Sequence, residues 1–147
     1  MRMENNQFDG NPVGRPRQLT ILSVLSFIGS GAGAFSNLFI FLLHPVFLDT
    51  LASGQYDDLG FDLSFFSAID KNYFLITGLL QIISFTGVVQ MWNLRRTGFH
   101  LYAIAQLLML IVSTIYVYKP TNTFPMFDLL FASLFILLYL RFRNIMH

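Results

Sequence analysis

The chain has 147 residues, of which 54% are hydrophobic and 12% charged, with a net charge of +1 and no cysteine. Soluble domains are typically about a quarter charged, and the mean hydropathy of +0.59 comes from apolar runs near bilayer-spanning length, so a soluble enzyme domain is excluded. The missing cysteines exclude disulfides, thiolate metal sites and cysteine nucleophiles, and arginines scattered at the ends of apolar runs form no nucleic-acid-binding stripe.

Residues 1–18 are polar and rich in Asn, Gly and Pro, which predicts a flexible cytoplasmic tail. The first apolar run covers about 19–43. Ala32-Gly33-Ala34 has the spacing of a signal-cleavage site, but hydrophobicity continues to Leu43, beyond the ~7–15 residues of a secretory apolar region, so the run is read as a retained span. Ser23, Ser26, Ser30, Gly33 and Asn37 recur at spacings of 3 and 4, which places them along one side of a helix. Gly29 and Gly33 form GxxxG, a spacing that lets a neighbouring helix approach closely. Ser23, Ser26, Gly29 and Gly33 are therefore taken as a packing seam. Pro45 is expected to end the span.

Residues 45–71 form the one long connection. It carries Asp49, Asp57, Asp58, Asp62 and Asp70 against Lys71, together with apolar stretches such as Val46-Phe47-Leu48. A structureless loop of this length is uncommon, so one or two short helices are expected in it. Ser67 and Asp70 have capping-box spacing, which suggests a second helix starting near Ala68. That span covers about 72–93, with Thr77, Gln81 and Ser84 on one face. The third covers about 98–118, with Ala103, Gln106 and Ser113 roughly aligned. The fourth covers about 124–141, with Pro125 in its first turn. Residues 144–147 are a C-terminal tail.

Four spans place both termini on one side, with Arg2, Arg15, Arg17, Arg95, Arg96, Arg141 and Arg143 there and only Lys71 and Lys119 opposite. By the positive-inside rule that side is cytoplasmic. The expected fold is an all-α integral membrane protein: residues 19–143 make one four-transmembrane-helix antiparallel bundle, with the outer loop 45–71 between helices 1 and 2. Trp92, Tyr102 and Tyr139 would mark the inner interface, and Tyr73, Tyr116 and Tyr118 the outer one.

Polar side chains in hydrocarbon need partners. Counting from the outer helix ends at 1.5 Å per residue, Asn37 lies about 9 Å deep, Gln81 about 12 Å and Asp128 about 6 Å, while Ser30 and Gln106 lie near ~19 Å. Two clusters are expected, Asn37–Gln81–Asp128 and Ser30–Gln106. They would act either as packing hydrogen bonds or as the lining of a ligand path. Asp128 is the one acid inside an apolar run, which makes it a functional candidate, although a place in the first turn of its helix also suits a carboxylate. His44, His100 and His147 fall on different segments without ligand spacing, Asp57 and Asp58 lack an EF-hand pattern, and no nucleophile–base pair is visible. Neither a metal, a cofactor nor an enzymatic activity is therefore expected.

Arg15-Pro16-Arg17-Gln18-Leu19-Thr20-Ile21-Leu22 with Leu25-Ser26-Phe27-Ile28-Gly29-Ser30-Gly31, and Leu94-Arg95-Arg96-Thr97-Gly98-Phe99-His100-Leu101-Tyr102, resemble small uncharacterised four-span inner-membrane proteins of Bacteroidota-type bacteria. The resemblance covers the spans but not the acidic loop, and implies a bacterial inner membrane without assigning an activity. Two functions are expected to compete. The first is a non-enzymatic accessory or scaffold subunit that binds other membrane subunits, or itself, through the seam and the acidic loop. The second is a small oligomeric transporter or channel with a polar path along Asn37, Gln81, Gln106 and Asp128.

Overall fold

The computed structural model describes residues 16–146 except 56, 57, 59, 61–63, 120, 121 and 123. The tail at 1–15 with Arg2 and Arg15, the acids Asp57 and Asp62, and His147 therefore lie outside the described residues, and the outer loop is described only in part. Every regular element described is helical. The order is α1 (Arg17–Leu42), α2 (His44–Ala52), α3 (Ser64–Ser67), α4 (Lys71–Trp92), α5 (Arg96–Ser113) running on through a π-helical turn (Thr114–Tyr118), α6 (Met126–Leu140) and a closing 3₁₀ turn (Arg143–Ile145).

Three helical segments are long and apolar enough to cross a membrane: Arg17–Leu42, Lys71–Trp92 and Arg96–Tyr118. The fourth, α6, has 15 residues, about 22 Å at 1.5 Å per residue and short of a ~30 Å hydrocarbon core. Large apolar side chains point outward around the molecule, with Ile28, Phe35, Phe127 and Leu137 between 63% and 77% exposed. Such a surface would associate in water and is at home in lipid.

Local chemistry sets the helix ends, and several differ from expectation. Pro16, extended at φ −54° and ψ 137°, opens α1 at Arg17, so the last two residues of the expected tail are helical. Pro45 does not stop the chain. Leu43 breaks α1 at φ −102° and ψ 19°, and Pro45 sits in the first turn of α2, where no N–H is needed. Asp70 itself caps α4, its carboxylate accepting the Asn72 N–H at 2.8 Å, so the helix opens at Lys71 and not at Ala68. α5 opens at Arg96, two residues early, and α6 at Met126, two residues late, with Pro125 outside it at ψ 66°.

α4 is central. It packs extensively on α1 and on α5, while α6 touches α5 and α1 more sparsely. The α4–α5 contact is backbone on backbone: a Cβ on Gly98 would lie 2.5 Å from the Gly87 carbonyl oxygen and 2.6 Å from the Met91 nitrogen, and a Cβ on Gly87 2.8 Å from the Tyr102 nitrogen. The close approach expected of the GxxxG pair does not occur at Gly29, where a Cβ would meet nothing within 4 Å. Gly33 is crowded only by the Gln81 side chain.

Two apolar cores close the ends. At the end carrying the described arginines, Leu19, Leu22, Val88, Met91, Phe99, Tyr102, Tyr139 and Met146 pack together. Met146, expected in a free tail, is fully buried, and its carbonyl accepts from Arg96 Nε at 2.6 Å. Tyr102 and Tyr139 are likewise buried rather than interfacial. At the opposite end Ile69, Phe74 and Val117 form a smaller core with Phe41 and Phe66 against it. Gly98→Ala should cost about 1–3 kcal/mol by overpacking. Gly29→Ala should be neutral or gain up to ~1 kcal/mol through helix propensity. Thermal unfolding of the two variants in detergent micelles checks the contrast.

Candidate functional site: a polar cavity between four helices

Between the two end cores the helices leave a cavity of about 730 Å³, open on one side and lined by residues of α1, α4, α5 and α6. It exists because α6 buries only Ala132 and Tyr139, so its upper half stands away from α1. Ser30, Asn37, Gln81, Gln106 and Asp128 all line this one cavity, instead of forming two separate clusters.

Their hydrogen bonds form three stations along it. Nearest the opposite end, Ser113 Oγ donates to Asp128 Oδ2 at 2.9 Å, and the Tyr73 hydroxyl lies 3.2 Å from Ser113 Oγ. Asp128 is in the first turn of α6, where the helix dipole favours its negative charge. In the middle, Gln106 Nε2 donates to Ser84 Oγ at 3.2 Å. Toward the arginine end, the Tyr139 hydroxyl donates to Ser26 Oγ at 2.9 Å, and the Tyr102 ring lies edge-on to Tyr139 at 5.2 Å.

The expected pairings Ser30–Gln106 and Asn37–Gln81–Asp128 do not occur as hydrogen bonds. Ser30 donates back to the Ser26 carbonyl at 2.6 Å, and Asn37 to the Gly33 carbonyl at 2.7 Å, each one helical turn away on its own helix. That local bond is available before any tertiary contact forms. The start of α6 also differs by two residues from that expected, a displacement of about 3 Å for Asp128.

Two polar groups on the wall are left uncommitted. The Gln81 carboxamide, tucked against Gly33, makes no hydrogen bond among the described residues. The buried Thr77 hydroxyl makes no well-formed hydrogen bond there either, although it lies within reach of the Tyr73 hydroxyl. Unpaired polar groups within hydrocarbon are costly, so both favour water or a polar ligand in the cavity. The rest of the lining is mostly apolar, including Leu25, Met109, Phe131 and Leu134.

Within the seam, Ser23, Ser26 and Ser30 are buried, but Gly29 is exposed at the cavity's edge. Sequence reasoning missed Tyr73, Tyr102 and Tyr139 as cavity or core residues, because tyrosine near a span end reads as an interface anchor. The signal for Tyr139 was the serine seam itself, which offers an acceptor to a hydroxyl arriving from another helix. His44 packs against Phe74 at 6.2 Å, His100 is exposed, and the described residues contain no group of three His, Asp or Glu able to share a metal.

Compared with known protein families, curated proteins and solved structures, the chain finds no match. The functional reading therefore rests on the cavity's own geometry. A double-mutant cycle with Tyr139→Phe and Ser26→Ala should give a coupling of about 0.6 kcal/mol, the average for interhelical bonds in membranes. Additive losses of stability would show that the bond contributes nothing.

Proposed function

We propose that the protein is a small transporter or channel, in which the cavity is a hydrated path for a small polar solute. The observation that carries this reading is that Asn37, Gln81, Gln106 and Asp128 share one open cavity, in which only Gln106 and Asp128 bond across to another helix and the Gln81 carboxamide stays uncommitted. Asp128 would favour a cationic or hydrogen-bond-donating solute near its mouth.

In this reading the chain crosses a bacterial inner membrane four times in an antiparallel bundle, with the arginine end in the cytoplasm. The three long helices support the membrane assignment, and the excess of arginine supports the orientation. The short α6 spans with the help of Phe124 and Phe142 at its ends and local thinning of the bilayer. Assembly into oligomers would supply the remaining wall. The reading as a non-enzymatic accessory subunit draws on the same open side: a helix of another subunit, or of a second copy, laid between α1 and α6 would cover Leu25, Phe131 and Leu134, which are exposed although they line the cavity.

The cysteine-free chain allows a direct test. Single cysteines at Asn37, Gln81, Gln106 and Asp128 in membrane vesicles should all react with a small water-soluble thiosulfonate. Cysteines at the outward-facing Ile28 and Leu137 should not. Failure of Gln81→Cys and Gln106→Cys to react, together with recovery of a heteromeric complex in mild detergent, would overturn the transport reading in favour of the scaffold.

A further inference from the structure

A second cavity, of about 340 Å³, lies at the arginine end of the α1–α6 cleft. Its walls change character along the helix axis. At the end are Gln18, in the first turn of α1, and Arg141, the residue after α6. Above them the walls are apolar, formed by Ile21, Leu22, Leu25 and Leu138, while Phe142 lies beside Arg141 at the end. From Gln18 to Leu25 the rise is about 10 Å. Ile21 and Leu25 are each 52% exposed and Leu138 39%, so the cleft is open along its side and not only at its end. Leu22, Leu25 and Leu138 also line the larger cavity, so the two are neighbours.

The charge around this cleft is one-sided. Arg17, Arg95, Arg96, Arg141 and Arg143 stand at this end, whereas the described acids Asp49, Asp58, Asp70 and Asp128 lie elsewhere. Arg96 is committed to the Met146 carbonyl. The side chains of Arg141 and Gln18 make no ion pair or hydrogen bond among the described residues. An uncommitted guanidinium presents a planar fork suited to phosphate oxygens. It sits where a headgroup would lie if the adjoining apolar walls were in hydrocarbon.

We propose that this cleft binds an anionic phospholipid, with its phosphate on Arg141 and Gln18 and an acyl chain along Ile21, Leu22, Leu25 and Leu138. The site needs no transport activity and stands apart from the reading above. The polar end takes the charge, the apolar groove excludes a soluble phosphate compound, and the open side admits the ligand from within the leaflet.

Native mass spectrometry of the full chain in detergent tests this, with phosphatidylglycerol and phosphatidylcholine of identical acyl chains as probes. Phosphatidylglycerol should remain bound under activation that strips phosphatidylcholine. Arg141→Gln should weaken retention about fivefold, the effect of one basic residue near a headgroup. Leu25→Trp, which fills the groove from a lipid-exposed position, should weaken both lipids. Arg143→Gln, outside the cleft, should leave binding unchanged. Equal retention of the two lipids, or an equal loss in Arg141→Gln and Arg143→Gln, would overturn the site. So would displacement by millimolar glycerol phosphate, which would assign the charge to a soluble anion, or a protein chain found in the cleft in place of lipid.

Discussion

The contact of Gly98 with the Gly87 carbonyl sets how near α5 lies to α4, and the other helices follow from it. With no side chain on either helix at the crossing, the two backbones meet directly, and Ser84–Gln106 and Tyr73–Ser113 come into register along the same interface. α4 then presents its remaining face to α1, where Phe27 packs against Phe85 with the rings tilted, centroids 5.1 Å apart, and Leu38 rests on Gly78. α6 has no comparable small-residue contact. It is held near one end by Tyr139 and near the other by the Asp128–Ser113 bond, and the space between is the cavity. The polar interior is thus a by-product of one tight pair and one loosely held helix.

Most of the helical architecture was legible in the sequence, because long apolar runs broken by proline, glycine and charge have few other readings. The described residues are helical where those runs occur, and the connection after α1 contains two short helices. The five polar residues singled out were visible for the same reason: a carboxamide, a carboxylate or, at Ser30, a hydroxyl within an apolar run stands out against its neighbours. Their partners were not visible. Ser30 and Asn37 satisfy themselves on their own helix, an option that a depth estimate ignores. Gln106 reaches Ser84, a residue recognised as polar but not paired.

Two other features were hidden for different reasons. Gly98 follows Asn93-Leu94-Arg95-Arg96-Thr97, a string that reads as a turn, so its role inside a helix crossing was masked by its neighbours. Leu94, at φ 58°, is the residue that lets the turn finish early enough for α5 to begin at Arg96. Met146 follows Arg143 and Asn144 and looked like the end of a solvated tail. Its burial depends on a 3₁₀ turn folding it back under the bundle, which no local pattern announces.

The bond from Tyr139 to Ser26 joins residues 113 apart in the chain, whereas Gln106 and Ser84 are 22 apart. For a flexible chain, closing the longer loop costs about 1.4 kcal/mol more. The α4–α5 pair, and the α5–α6 pair joined by Ser113 and Asp128 at 15 residues apart, are therefore cheaper to form, and the α1–α6 contact is the costliest of the three. The seam in the molecule that closes last is the same one that stays widest, where the first and last helices of the bundle meet only after each has found its neighbour in the chain.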